Sequence, residues 1–431
     1  MEKITETIKQ TNGYYFHYIP TKKYKTVTVV VKLKAPLEKK TITKRALLPY
    51  VLRQGTKRYP TKQEFQLKLD ELYGASISLD GAKKGENHII SLRLEIANQK
   101  FLQDNPPILI QGLNLLHDVL FDPNSDDNQF APSVFNREKE TLKQKILALK
   151  DDKMSYANMR LIDEMCKGEA YQLHVHGYMD ELETITSKSL YAYYQQMIRE
   201  DRMDVYIQGD LPLNRMEEIV TSIFELTPSA SRNQNHQEAS RSIVEKSPKQ
   251  VIETDQIQQA KLHIGYRTNV TFDQPEYYAL HVFNGIFGGF PSSKLFKNVR
   301  EKNSLAYYAA SRLESHKGLL LVFSGIAPKD FEKARDIIKN QMTAMKQGDF
   351  TSHQIEEAKA QITNQLLETL DHPQGTIEFL YQQILADKRI NPIDFIERIK
   401  QVTKEEVVAV SKKLQEDTTY LLTSEKGDSH E

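Results

Sequence analysis

Two stretches of strict alternation mark the chain. In "TVTVVVKLK", Val27, Val29, Val31 and Leu33 share one face of an extended strand, and in "KLHIGYR" Leu262, Ile264 and Tyr266 do the same. Each strand is followed by a helical stretch, a turn and a further strand. "HIISLRLEI" places Ile90, Leu92, Leu94 and Ile96 on one face, whereas its counterpart "GLLLVFSGI" is an unbroken apolar run. Amphipathic helices come next. Leu142, Ile146 and Leu149 recur at helical spacing in "NREKETLKQKILALKDD". "TSHQIEEAKAQITNQLLETLDHP" pairs a T-x-x-Q cap at Thr351 with a stop before Pro373. Both halves then run from helix to strand, in "SLYAYYQQMIREDRMDVYIQGD" and "EEVVAVSKKLQEDTTYLLTSE".

The same order of elements told twice predicts a duplicated α+β domain, each copy an antiparallel-rich sheet packed by helices. The segment from 227 to 250, rich in Ser, Asn and Gln, has almost nothing to bury and reads as a polar linker. The expected organisation is an N-terminal domain over 1–226, the linker over 227–250 and a C-terminal domain over 251–431.

Composition removes several classes of function. The 58 basic and 58 acidic side chains balance, so no global field draws the chain to nucleic acid or to an anionic membrane. No stretch approaches the roughly 20 apolar residues of a membrane span, and "MEKITETIKQTNGYY" lacks the apolar core of a secretory signal. Cys166 is the single cysteine, which excludes an intrachain disulfide and a thiolate cluster. The expectation is a cytoplasmic protein.

Candidate chemistry is sparse. "GIFGGF" has neither a following Lys-Ser/Thr nor the G-x-G-x-x-G spacing of a phosphate loop. None of the twelve histidines forms H-E-x-x-H or H-x-x-E-H. The close pair His174 and His176, with Asp180 nearby, is either a pair of surface loop histidines or a zinc site. In "GIFGGFPSSKLFKNVREKNSLAYYAASRL", Ser292 and Ser293 are placed to cap a helix carrying Lys294, Lys297, Arg300 and Lys302. Arg300 and Tyr307 stand seven residues apart across a helix-to-strand turn. They are either a solvated charge and a core aromatic, or a guanidinium and a phenol that hold a peptide carbonyl or oxyanion. One more frame is visible at residues 44–56, "KRALLPYVLRQGT", followed by a helix that Thr61 and Glu64 open as a capping box.

Together "GTKRYP" with its helix, the duplicated halves and "LFKNVREKNSLAY" resemble the pitrilysin/insulinase family of zinc metallopeptidases, in its bacterial branch similar to mitochondrial processing peptidase. The resemblance covers nearly the whole chain. It implies two related α+β domains that form half of a clamshell, closed by a second chain. It also implies H-x-x-E-H on the helix before Gly55-Thr56, which puts zinc histidines at Ala46 and Tyr50 and the general base at Pro49. The third ligand falls at Lys145, seven residues after the matching Glu138. Ala46 has no donor atom, Pro49 takes no proton, a phenol is a poor substitute for imidazole, and Lys145 brings a cation to a place built for a dication. The resemblance thus implies a non-catalytic chain that carries no zinc and pairs with an H-x-x-E-H-bearing relative, zinc being expected on that partner. Arg300 and Tyr307 match the family's substrate-contacting pair, which reaches across the clamshell to peptide or unfolded polypeptide. The strand "HIISLRLEI" is expected to hold extended peptide by edge pairing. Two other readings stand beside this one: a peptide-binding or scaffolding homodimer that works without zinc, and a stand-alone metallopeptidase with its metal moved to His174 and His176.

Overall fold

The structure is a computed structural model of the 431-residue chain, and it describes residues 4–11, 13–224 and 247–424. Two compact units emerge. One comprises residues 4–148 (12 excepted) with 173–224; the other comprises 149–172 with 247–424. The linker read over 227–250 lies outside the described residues as far as 246, and Lys249 already begins a strand.

In the N-terminal unit the strands are β1 (Thr7–Gln10), β2 (Tyr15–Pro20), β3 (Thr26–Pro36), β4 (Ser76–Lys84) and β5 (Asn87–Ala97). A short hairpin, β6 (Ser125–Asp126) with β7 (Gln129–Phe130), precedes β8 (Arg202–Gly209). The main sheet runs β1-β2-β8-β3-β5-β4, with β2 and β8 parallel. In the C-terminal unit β9 (Lys249–Thr254), β10 (Ala260–Arg267), β11 (Ala306–Glu314), β12 (Leu319–Ile326) and β13 (Gln415–Thr423) run β9-β13-β10-β12-β11, with β9 and β13 parallel. Without β1 the two orders coincide strand for strand, including the single parallel pair. The duplication expected from the sequence is therefore a duplication of topology. A parallel pair formed by the first and last strands needs long helical connections between them, which the intervening helices supply.

The apolar faces fall where the alternation put them. Val27, Val29, Val31, Leu33, Ile90, Leu92, Leu94 and Ile96 join one core with helices α1 (Lys39–Leu52), α2 (Lys62–Glu71), α3 (Ile108–Phe121) and α4 (Pro132–Ala148). The capping boxes at Thr61 and Thr351 are both formed, side chain to backbone in each direction.

Helix α5 (Lys153–Met165) departs from the linear order. Residues 149–172, which by position belong to the N-terminal half, pack in the C-terminal unit. Ala157, Leu161, Ile162 and Met165 lie against Leu319 and Leu321 of β12 and Tyr420 and Leu422 of β13. This explains why "GLLLVFSGI" is apolar without alternation: Leu320 and Val322 face the main core of that unit while Leu319 and Leu321 face α5. Gly265 lets the helix approach, since a Cβ there would stand 2.5 Å from Met165 Sδ. Ion pairs flank the contact, Arg160 to Glu253 at 2.6 Å and Arg267 to Glu169 at 2.6 Å. Leu161→Ala, at a fully buried position on α5, is expected to lower unfolding stability by about 2–5 kcal/mol in urea titration. No loss would mean that α5 is not part of the cooperative fold.

Candidate functional site

The frame at residues 44–56 is a helix with a closed exit. α1 continues through Pro49, so the carbonyl of Arg45 loses the bond that an ordinary residue 49 would donate. Arg45 itself is fully buried. Its guanidinium donates to the Asp201 carboxylate at 2.7 Å, the Tyr193 hydroxyl at 3.2 Å, the Leu33 carbonyl at 3.3 Å and the His88 carbonyl at 3.2 Å. Burial alone would depress the guanidinium's pKa, and Asp201 reverses that, so the charge is locked on. Beyond α1, Gly55 has φ +152°, and a Cβ there would stand 2.5 Å from the Tyr59 carbonyl oxygen. Thr56 is buried and bonds Tyr59 in both directions, N–H to carbonyl at 2.9 Å and hydroxyl from N–H at 3.1 Å. "GTKRYP" is thus a tight reversal that only glycine permits.

Ala46 and Tyr50 sit one helical turn apart on α1. Ala46 is buried in the core and Tyr50 packs at its margin. Lys145, on α4, reaches the same place: its ammonium lies 5.9 Å from the Tyr50 ring centroid. Arg53 stands 4.9 Å from that centroid. Glu138, two turns before Lys145, is buried and accepts from Arg137 Nε at 2.8 Å, while Arg137 also donates to the Gln54 side chain at 3.1 Å.

The other candidate pair lies in the C-terminal unit. Arg300 is the penultimate residue of a π-helical segment, Phe296–Glu301, where an α-helix was expected, and the expected cap is made by Ser293, whose hydroxyl accepts the Phe296 N–H at 3.4 Å. The wider turn stacks residues i and i+4, and the Arg300 guanidinium lies 4.6 Å from the Phe296 ring centroid. The chain then reverses tightly, with Ser304 at φ +52° and its N–H bonded to the Arg300 carbonyl at 3.0 Å. Tyr307 falls where the register of β11 against β12 slips, and it is 79% exposed. It is therefore not a core aromatic. A second π segment, Gly285–Gly289, accounts for "GIFGG": a Cβ on Gly288 would stand 2.5 Å from Ser311 Oγ on β11. Its glycines serve close packing, and π segments of this kind gather at functional sites.

Comparison with known proteins places this geometry. The family described as "Peptidase M16 inactive domain" matches residues 184–362. The chain is 47% identical over 429 residues, 100% of both chains, to the "Probable inactive metalloprotease YmfF" of Bacillus subtilis (strain 168). The chain belongs to the M16 (pitrilysin/insulinase) family. A conserved protein from Enterococcus faecalis V583 shares the structure with a TM-score of 0.91 at 32% identity, over 98% of this chain and 100% of that one. A protease from Helicobacter pylori shares the fold, with a TM-score of 0.79 at 15% identity over 97% and 99% of the two chains.

Within the M16 family this is a degenerate, non-catalytic member. At the positions the family resemblance assigns to the zinc site, Ala46, Tyr50 and Lys145 for ligands and Pro49 for the general base, the side chains do not fit zinc. Ala46 and Pro49 offer no donor, and the ammonium of Lys145 repels a dication. The alternative ligands fare no better. His174 stacks on Tyr178 with ring centroids 4.8 Å apart. Among the described residues no three His, Cys, Asp or Glu side chains gather as a metal-binding group. Cys166 is buried beside α5. The edge-pairing expectation for "HIISLRLEI" is corrected: β5 lies between β3 and β4, so both its rims are already bonded, and β4 is the edge. Sequence reasoning passed over Arg45, Arg53 and Phe296, whose roles depend on neighbours that spacing alone does not reveal.

Two predictions follow from this geometry. Asp201→Ala strands the Arg45 charge in the core and is expected to cost about 3–5 kcal/mol of unfolding free energy by urea titration. The combined change Ala46→His, Pro49→Glu, Tyr50→His and Lys145→Glu rebuilds the ligand set on the surviving α1–α4 frame. Elemental mass spectrometry is expected to find close to one zinc per chain in that variant.

Proposed function

We propose that this chain is the non-catalytic subunit of a two-chain peptide-processing chamber, paired with an H-x-x-E-H-bearing M16 relative in the cytoplasm. The observation that carries the reading is a contrast in what the chain has kept. The positions that the resemblance gives to the zinc ligands and the general base hold Ala46, Tyr50, Lys145 and Pro49, whereas Arg300 and Tyr307 are both exposed to solvent. Among the described residues Arg300 has no carboxylate partner, and it is braced by Phe296 rather than by an ion pair. A braced guanidinium and an outward phenol are suited to a peptide carbonyl as negative charge develops on its oxygen.

The division of labour follows from the side chains. Zinc on the partner subunit supplies Lewis-acid polarisation and an activated water. Arg300 orients the peptide backbone by donating to a carbonyl, and Tyr307 adds a second donor. Extended substrate pairs with the β4 edge rather than with β5.

In the assembled two-chain complex, Arg300→Ala and Tyr307→Phe are each expected to lower kcat roughly 10²-fold, with assembly by size-exclusion chromatography unchanged. Full activity in both variants would sink the reading. The zinc content of the unpaired, tag-free chain is expected to stay at buffer level.

A further inference from the structure

The α1–α4 face of the N-terminal unit carries two cations that pair with no carboxylate among the described residues. Arg53 and Lys145 are both exposed, and both approach the half-buried Tyr50 ring, at 4.9 Å and 5.9 Å from its centroid. Among the described residues neither cation pairs with a carboxylate, and the Tyr50 hydroxyl has no hydrogen-bond partner. Glu138, the acid retained on α4, is buried and already taken by Arg137. The ring's negative face draws each cation by about 0.5–1 kcal/mol at an exposed site. That attraction holds two like charges near one phenol, where a bound anion would lower their mutual repulsion.

We propose that this face binds a peptide carboxylate, with Lys145 and Arg53 as its cations and the Tyr50 phenol as a further donor. The positive charge that a metal would have brought to this place is then supplied by the chain itself, as a binding site rather than a reaction centre. A guanidinium and an ammonium with an adjacent hydroxyl match the lone pairs of a carboxylate. That the ligand is a peptide rests on the function proposed above; that it is anionic rests on the cations alone. A chain-terminal carboxylate and an Asp or Glu side chain offer the same chemistry.

Three fluorescent peptides test this with the full chain at low salt, by anisotropy. One has no acidic side chain and a free carboxy terminus, the second is its carboxy-terminal amide, and the third is that amide with one internal Glu. At least one acid-bearing peptide is expected to bind about tenfold more tightly than the neutral amide, and the tighter of the two identifies the source of the carboxylate. Lys145→Gln and Arg53→Gln, both at exposed positions, are expected to remove most of that advantage without changing affinity for the amide. Lys145→Glu is expected to reverse the preference. If the amide binds as well as both acidic peptides, or Lys145→Gln leaves the advantage intact, the carboxylate site is overturned while peptide binding stands. If none of the three binds, this inference falls together with the peptide-binding part of the proposed function.

Discussion

A buried guanidinium ties the N-terminal unit together. Arg45 leaves α1 and meets a carbonyl on β3, a carbonyl on β5, the Tyr193 hydroxyl and the Asp201 carboxylate. A charge in that position is costly unless every hydrogen-bonding direction is used. Arg45 uses most of them, though Nε is left without a partner. The consequence is that α1 is held to the sheet by a polar cross-link one residue before the first lost ligand position. This is how the helix keeps its place with Pro49 inside it. The tight Gly55-Thr56 exit does the same at the other end. The frame survives because packing maintains it.

The C-terminal unit shows the same economy through apolar contact. Its sheet repeats the strand order of the first, but α5 closes its second face. A sheet buried on both sides has no use for alternation, which is why β12 reads as a continuous apolar run. On the opposite side, two π segments and a register slip set up the stretch from Phe287 to Tyr307. These irregularities are local departures from ideal helix and strand, and they lie where Arg300 and Tyr307 are presented to solvent. The N-terminal unit thus carries no donor at Ala46 or Pro49, while the C-terminal unit presents an exposed guanidinium and phenol at Arg300 and Tyr307.

Much of this was legible from residues alone. The emptied ligand set needs no coordinates, because Ala46 lacks a donor atom and Lys145 is a cation wherever the chain puts them. The capping boxes at Thr61 and Thr351 were legible for a related reason: both partners lie within three residues, so the backbone geometry of one helical turn decides the bond. Alternation named the apolar face that each of β3, β5 and β10 turns to its main core, although the opposite faces of these strands are largely buried as well.

Other features required the tertiary structure. The Arg45 partners are spread from Leu33 to Asp201, and nothing local to "KRALLPY" says that they converge. β5 reads like an edge strand as well as a central one until β4 is seen on its far side. The placement of α5 with residues 247–424 depends on burial summed over β10, β12 and β13. Tyr307 is an aromatic in a strand by sequence, and only the slipped register turns it outward. The sequence by itself determined the duplicated α+β plan, the family and the absence of zinc ligands at the family's positions, because side-chain chemistry and short-range hydrogen bonding are properties of a few neighbouring residues. Which segments become neighbours was decided by the folded chain, because burial is shared among residues far apart in sequence.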